Sequence, residues 1–418
     1  MKIGLLSFGG PAAQIALMHR VLVDERRWFA ERQFLSALNF CMLLPGPEAM
    51  QLATYAGWRM HGIAGGLAAG LLFVVPGALL MIVLSMIYVY YGQLPAIEVL
   101  FLGVKAAVLA IVLEALIRVA GRALQTRMHW LLAGLAFVAL FFFNVPFPLV
   151  VFAAALLGVL WSWQSGEGAT VSPIEVTTSG PAAAWPDTVR TVAIWLAVWL
   201  GPLIGLWFVL GSDHVLVQLG WFFSKLAVVT FGGAYAVLAY MAQEVVQGYG
   251  WLSAGEMIDG LGLAETTLGP LILVTEFVGF LAAFREEGGG GLLLGIAGAV
   301  VTLWATFAPC FLWIFAGAPY VEQLQHAVRL RAALAAVTAA VVGVILNLSL
   351  WFGLRVLFGQ FETVDLRMLS LEVPVLHSLD WKAAALSVLA GIALFGFRAG
   401  VMVTLNVSAA ASFAVSFV

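Results

Sequence analysis

One stretch of this sequence occurs twice, 223 positions apart. Residues 7–58 begin with SFGGPAA, reach LLPGP and end with LATYAGW, and residues 230–280 begin with TFGGAYA, reach TLGP and end with VTEFVGF. The shift superposes two Phe-Gly-Gly motifs, Trp28 on Trp251, and two Gly-Pro pairs without a gap. Duplicated apolar segments that are interrupted at matching places are typical of secondary transporters, and the interruptions indicate the binding site.

Composition places the chain in a membrane. Of its 418 residues 63% are hydrophobic and 10% charged, and apolar runs of about 20 residues alternate with short polar gaps. We therefore predict an all-α polytopic protein that crosses the plasma (inner) membrane several times and has the lipid bilayer as its surroundings. The net charge of -3 is small and scattered, so nucleic acid is not an expected partner.

The two cysteines, Cys41 and Cys310, both lie in apolar runs. This placement indicates small buried side chains, with neither a disulfide framework nor a metal site. No cofactor is expected. The sequence leaves the oligomeric state open, a homodimer included.

The apolar runs divide the chain into two repeats. We predict an N-terminal repeat at residues 1–163, a Ser-, Thr-, Gly- and Pro-rich linker at 164–189, and a C-terminal repeat at 212–418. Between linker and second repeat, residues 190–211 form a connecting transmembrane helix that has no counterpart in the first half. Uninterrupted candidate spans follow the broken segments at 62–91, 97–121, 129–144 and 146–163, and again at 289–318, 329–354, 383–397 and 400–418.

The distribution of Lys and Arg favours re-entrant broken segments. If every apolar run spans, the two faces of the membrane receive eight basic residues each, and no bias results. If the broken segments instead enter and leave on one face, the count is twelve against four. The twelve are Arg20, Arg26, Arg27, Arg32, Arg59, Arg118, Arg122, Arg127, Arg190, Arg329, Arg331 and Arg398, and the four are Arg285, Arg355, Arg367 and Lys382. With four spans in each half and one connecting helix, the halves have opposite orientations, which predicts inverted repeats.

The breaks suit the binding of an oxyanion. Non-helical backbone at membrane depth is tolerated only in the protein interior or at a watery cavity. Gly-Gly exposes backbone N–H groups, and a half-helix that begins there adds its positive dipole end. A single glycine pair is explained by helix packing, but duplication at fixed spacing favours function. The candidate substrate-binding residues are Ser7, Gly9, Gly10, Asn39, Gly46, Glu48, Gln51, Thr230, Gly232, Gly233, Thr266, Thr267 and Gly269, with Gln14 as a further neutral donor.

Three carboxyl groups in or beside the broken segments are candidates for coupling or gating. Glu48 follows Pro47 directly, and Glu265 and Glu276 lie within an apolar run. An ionisable group at membrane depth indicates a proton site or a substrate gate, with structural ion pairing as the alternative. Lys105 and Glu114 lie near the ends of a run, where snorkelling to the interface explains them as well.

These segments resemble the chromate ion transporter (CHR) superfamily in its long, two-half form. The resemblance rests on LLSFGGPAAQIALMHR at 5–20, LNFCMLLPGPEAMQLATYAGW at 38–58, KLAVVTFGGAYAVLAY at 225–240 and GLAETTLGPLILVTEFVGF at 262–280. It implies efflux of chromate from the cytoplasm, driven by the electrochemical gradient, and resistance to chromate. Members of the family have more apolar sequence before the first Phe-Gly-Gly, Pro where this chain has Leu268, and often a neutral polar residue at Glu276.

Two alternatives stay open beside a chromate carrier. A carrier of sulfate or another anion is one alternative, because a site built from backbone amides distinguishes only weakly between tetrahedral dianions of similar size. An intramembrane enzyme or lipid-handling protein is the other. We find neither His-Glu-x-x-His nor Gly-x-Ser-x-Gly in the sequence, which weakens the enzyme interpretation.

Overall fold

The computed structural model of the chain describes residues 2–5, 10–165, 185–231, 234–286, 290–321, 327–366 and 369–416. Helices dominate these ranges, which confirms the prediction of an all-α polytopic membrane protein. Five of the described helices are long and apolar enough to cross a membrane: Glu48–Tyr91, Pro95–Ala123, Trp185–Leu210, Leu292–Tyr320 and Val328–Leu357. Several shorter apolar helices accompany them.

In chain order, the described helices are α1 Lys2–Leu5, α2 Gly10–His19, α3 Glu31–Leu43, α4 Glu48–Tyr91, α5 Pro95–Ala123, α6 Arg127–Phe143, α7 Phe147–Ser165, α8 Trp185–Leu210, α9 Val215–Val229, α10 Ala234–Gln243, α11 Ala254–Thr266, α12 Val274–Phe284, α13 Leu292–Gly317, α14 Val328–Leu357, α15 Trp381–Gly391 and α16 Val401–Ser416. A two-stranded antiparallel hairpin, β1 Phe361–Leu366 and β2 Leu369–Pro374, lies between α14 and α15. The sequence did not predict this hairpin.

The sequence repeat is also a repeat of local structure. Helices α3 and α11 have 13 residues each, and their bounds differ by the same 223 positions as the motifs. Each is preceded by a π-helical turn, Arg20–Glu25 in one half and Glu244–Gly248 in the other. After these turns the N–H of Trp28 donates to Leu22 O at 2.8 Å, and the N–H of Trp251 donates to Val245 O at 2.9 Å. The opposite orientation of the halves in the membrane stays a prediction.

The chain leaves the helical conformation at the first proline-glycine motif. Helix α3 ends at Leu43 and α4 begins at Glu48, so residues 44–47 form a short non-helical connection. Thirteen helical residues extend about 20 Å, less than the roughly 30 Å of a bilayer's hydrocarbon core. Helix α3 is therefore too short to cross a membrane alone.

Helix α4 consists of two limbs that fold back on each other. His61 and Gly62 have non-helical dihedral angles, and the φ of Gly62 is 64°. On either side of this turn, Gly57 and Gly65 approach so closely that a Cβ on either would overlap the carbonyl oxygen of the other. Glycine at both positions is what allows the limbs to pack.

The described residues form two compact units, and each unit draws on both sequence halves. Unit 1 consists of Met1–Ser85, Gly158–Val237 and Thr267–Leu334, and unit 2 consists of Met86–Leu157, Leu238–Thr266 and Ala335–Val418. The predicted division at the linker concerns the sequence repeat, and it stays a prediction.

Unit 1 is organised around helices α12 and α13. They pack in antiparallel fashion, because a Cβ on Gly279 would lie 2.8 Å from Thr302 Oγ1, while Gly298 abuts Ala283 one turn further along. Helix α8 joins this pair through the indole of Trp304, whose Nε1 donates to Trp199 O at 3.1 Å. Glycine lets these apolar helices approach to backbone contact.

Unit 2 is organised around helix α5. It packs against α11, α15 and α16. Gly103 lies against the backbone of Ser408, and Gly262 lies against Val104. Elsewhere in the unit the ring of Phe147 stacks on Tyr240 at a centroid distance of 5.2 Å.

Candidate functional site

The break in the first half depends on the conformation of one glycine. Gly46 has φ 119°, a value that L side chains rarely adopt. A Cβ there would lie 2.8 Å from Gln51 Nε2 and 2.9 Å from Cys310 Sγ. Only glycine fits this position without strain.

Gly46 is also bound to the other half of the sequence. Its backbone N–H donates to the carbonyl oxygen of Thr230 at 2.9 Å. Thr230 directly precedes the second Phe-Gly-Gly motif. The first proline-glycine break and the approach to the second Phe-Gly-Gly motif therefore meet within unit 1.

The second break is also bound to the opposite half, but through a different hydrogen bond. Gly269, the counterpart of Gly46 in the repeat, has φ 90°. Its carbonyl oxygen accepts a hydrogen bond from Gln14 Nε2 at 2.6 Å, and Gln14 belongs to the helix that begins in the first Phe-Gly-Gly motif. Gly77 of α4 packs so closely that a Cβ would overlap the carbonyl oxygen of Leu268. Each break glycine is thus hydrogen bonded to the Phe-Gly-Gly region of the opposite half.

Two buried glutamines hold the carbonyl groups of the breaks. Gln14 binds Gly269, and Gln51 Nε2 donates to Pro45 O at 2.6 Å. Both side chains are buried, and the Oε1 of each has no hydrogen-bond partner among the residues that the structure describes. An amide in this state uses its donor and leaves an acceptor that can take a further hydrogen bond.

Glu276 lies in the first turn of α12, shortly after the second break. Its side chain is fully buried, and neither carboxylate oxygen has a hydrogen-bond partner within the described ranges. A buried, unpaired carboxylate is costly, so this group is expected to take up a proton or a counter-ion. It is the most isolated of the three candidate coupling residues.

Two hydroxyl groups share this state with Glu276. The Oγ1 atoms of Thr275 and Thr306 are buried and, in the described part of the chain, have no partner. In the antiparallel pair α12–α13, Gly279 faces Thr302, so one further turn brings Glu276 level with Thr306. Glu276, Thr275 and Thr306 therefore lie on one part of the α12–α13 pair. This part runs from Gly279 to the first break, where Cys310 lies next to Gly46.

The other hydroxyl candidates bind their own helices. Thr230 Oγ1 donates to Leu226 O at 2.6 Å, and Thr266 Oγ1 donates to Leu263 O at 2.8 Å. Together with the bond from Gly46 to Thr230, these contacts mean that several predicted donors are occupied in this conformation.

The remaining predicted residues are distributed as follows. Gly10 begins α2 with φ 76°, and Glu48 begins α4 as a half-buried side chain directly after Pro47. Asn39 is exposed on α3. Thr267 is buried in unit 1, whereas Glu265 and Thr266 belong to unit 2. Ser7, Gly9, Gly232 and Gly233 lie outside the described residues.

Sequence reasoning missed an ion pair in unit 2 between the half-buried Lys105 and the buried Asp259. Lys105 Nζ lies 3.2 Å from Asp259 Oδ1, and Tyr88 OH donates to Asp259 Oδ2 at 2.8 Å. The Lys105 cation is therefore paired and does not need to snorkel. Asp259 could have been found as a further acid within the apolar run that contains Glu265, but its partner lies more than 150 positions away.

The fold defines an integral membrane protein of many helices. Two helix breaks lie in its interior, and each is hydrogen bonded to the opposite half of the sequence. The sequence profile of the chromate transporter family matches residues 1–159 and 217–414. The chain therefore belongs to the chromate transporter family.

Three relatives illustrate this membership. The chromate transport protein of Pseudomonas aeruginosa is 34% identical over 354 residues, which cover 82% of this chain and 77% of that protein. A probable chromate transport protein of Synechococcus elongatus is 30% identical over 91% of this chain and 88% of its own length. The chromate transport protein of Cupriavidus metallidurans is 29% identical over 96% and 91% respectively. No solved structure matches the chain.

Proposed function

We propose that this protein is a secondary transporter that exports chromate from the cytoplasm across the plasma membrane and so confers chromate resistance. The observation that carries the proposal is the family match in both halves, together with relatives named chromate transport proteins over most of the chain. The hydrogen bonds that join each break to the opposite half support it, because both halves then contribute to an interior site.

In this proposal the anion is held by the backbone of the broken segments. Gly9, Gly10, Gly232 and Gly233 supply N–H groups at the starts of half-helices, where the dipole favours negative charge. Ser7, Asn39, Gln51, Thr266, Thr267 and Gly269 stay candidate contacts. The N–H of Gly46 becomes available only when its bond to Thr230 opens, so the bonded state corresponds to a site without anion.

Transport is coupled to the proton gradient or the membrane potential, and Glu276 is the preferred coupling residue. The unpartnered carboxyl group supports this assignment, since a proton or cation bound there would remove the cost of burying its charge. Of the helices packed on α12, α13 carries Cys310 as its one titratable side chain, and α9 carries Lys225, which is exposed. Glu48 and Glu265 stay candidates for the same role or for a gate.

A second substrate is compatible with the same site. Sulfate shares the charge and shape of chromate, and neutral donors would distinguish them only weakly. Uptake of radiolabelled chromate and sulfate into everted vesicles, with and without a proton gradient, tests both. We expect concentrative chromate uptake that collapses with the gradient, and none in vesicles that lack the protein. Uptake of sulfate alone would assign a sulfate carrier, and uptake of neither would overturn the proposed function.

A further inference from the structure

Unit 2 contains a cavity of its own. Its volume is about 360 Å³, within the range of small-molecule sites. Four carboxamide side chains line it: Asn144, Gln243, Gln247 and Asn347. The other described lining residues are aliphatic or aromatic, Trp351 among them, and none is charged.

Three elements bring these amides together. Asn144 ends α6 in the left-handed conformation, with φ 48°, which asparagine tolerates better than most residues. Gln243 ends α10, and Gln247 belongs to the π-helical turn that follows it. Asn347 and Trp351 are one turn apart on α14, so their side chains share a face. We call this set the amide pocket.

The indole of Trp351 adds a donor without an acceptor. Its Nε1 is buried and, within the described ranges, makes no hydrogen bond. A buried indole N–H normally has a partner, so its isolation next to a polar cavity points to a ligand that accepts hydrogen bonds. The carboxamides supply further N–H groups, and no lining carboxylate would repel an anion.

A cation lies one helical turn beyond the pocket. The guanidinium carbon of Arg355 is 6.0 Å from the centroid of the Trp351 ring and 4.2 Å from that of Phe361. It can attract an anion toward the pocket without forming a tight ion pair within it. In the charge distribution of the sequence, Arg355 belongs to the four basic residues on the face opposite the cytoplasm.

Resting on the proposed function, we propose that the amide pocket is a second, weaker site for the tetrahedral oxyanion, at the outer face, from which the exported ion is released. Neutral donors suit this task, because an exit site must bind strongly enough to receive the ion and weakly enough to let it leave. The same chemistry could hold the phosphate of a lipid headgroup, and the experiment below distinguishes the two.

The test compares Asn347→Leu and Trp351→Phe with Asn406→Leu, a matched loss of an amide. Asn406 is exposed in unit 2, where its Nδ2 bonds to Met402 O at 2.7 Å. In everted vesicles the outer face is the lumen. The chromate concentration at half-saturation is measured on the cytoplasmic face, which is exposed to the medium, by initial uptake. It is measured on the lumenal face by counterflow out of preloaded vesicles.

We expect Asn347→Leu to raise the half-saturating chromate concentration on the lumenal face about tenfold, as for the loss of one hydrogen bond to a charged ligand. The half-saturating concentration on the cytoplasmic face should stay unchanged. Trp351→Phe keeps the ring beside Arg355 and should act in the same direction. Asn406→Leu should leave both values unchanged. The proposed second site would be overturned if both pocket variants left the lumenal half-saturating concentration unaltered. It would also be overturned if the half-saturating concentrations on the two faces changed equally. Loss of co-purified phospholipid phosphorus with an unaltered lumenal value would assign the pocket to lipid.

Equilibrium binding of chromate to the purified protein separates this proposal from the proposed function. A wild type that binds but does not transport, and that binds more weakly with Asn347→Leu, would retain the pocket and overturn the transport role. A wild type that neither binds nor transports would overturn both.

Discussion

The N–H of Gly46 and the carbonyl oxygen of Thr230 lie 2.9 Å apart, although 184 positions separate them in the sequence. The bond joins the first proline-glycine break to the residue before the second Phe-Gly-Gly motif. Together with the bond from Gln14 to Gly269, it makes the two halves mutually dependent at the proposed binding site.

Substitution Gly46→Ala should abolish transport and lower stability by about 3 kcal/mol. The new Cβ would require a strained φ and would crowd Gln51 and Cys310. The apparent unfolding temperature in detergent and chromate uptake in vesicles measure the two effects. Gly134→Ala is the matched control, because nothing lies within 4 Å of a Cβ at that position. Equal behaviour of the two variants would exclude a special role for Gly46.

Gln14→Leu should destabilise the protein by about 1–3 kcal/mol, because it leaves the carbonyl oxygen of Gly269 buried without its donor. Gln125→Leu provides the comparison. Gln125 is exposed, and its Nε2 bonds to the nearby Arg122 O at 3.0 Å. Thermal unfolding of both variants in the same detergent measures the difference. A shift no larger than that of Gln125→Leu would mean that the bond across the halves contributes nothing.

Glu276→Gln should keep chromate binding but uncouple transport from the proton gradient. The amide resembles the protonated acid and cannot release a proton. Chromate uptake between about pH 5 and 8, with and without an imposed gradient, measures the coupling. The exposed Glu98 provides the control Glu98→Gln, which should retain the response of the wild type. Retained coupling in Glu276→Gln would transfer the role to Glu48, for which Glu48→Gln is the corresponding test.

Cysteine accessibility tests the predicted topology. We expect Arg32→Cys and Arg59→Cys to react with an impermeant maleimide from the same face, since a re-entrant segment between them returns to the face it entered, whereas a spanning segment would place them on different sides. Both side chains are exposed, and the native Cys41 and Cys310 are buried. Labelling in intact cells and in everted vesicles gives the sidedness. Reaction from opposite faces would contradict the re-entrant arrangement.

Removal of one partner of the Lys105–Asp259 ion pair in unit 2 should cost more than removal of both, because Asp259 is buried. Lys105→Met leaves the carboxylate of Asp259 without its cation, and a loss of about 3 kcal/mol is expected. The double variant Lys105→Met with Asp259→Leu should recover part of this loss, because no unpaired charge remains. Thermal unfolding of both single variants and the double variant gives the coupling energy. Strictly additive losses would mean that the two charges do not interact.

The sequence repeat predicted much of the fold around the site. The same shift of 223 relates the motifs, helices α3 and α11, the last residues of the π-helical turns and the positive φ of Gly46 and Gly269. Glycine and proline control backbone conformation locally, so a sequence can reveal where a helix is broken.

The contacts between segments could not be predicted in the same way. Nothing in the sequence indicated that Gly46 bonds to Thr230, or that Asp259 pairs with Lys105. Nor did the sequence indicate that Asn39, a predicted contact of the anion, is exposed on α3. In an apolar run the lipid-facing and buried faces have similar composition, so periodicity does not tell which face a polar residue occupies.

The bond between Gly46 and Thr230 also limits how a gene of this kind can be divided. A cut in the predicted 164–189 linker would place the donor on one polypeptide and the acceptor on the other, and would separate Gln14 from Gly269 in the same way. Each fragment would then contain a break whose partner is encoded elsewhere. Two such fragments would be obligate subunits, stable only when co-expressed, and the covalent link between them serves to fix their stoichiometry at one to one.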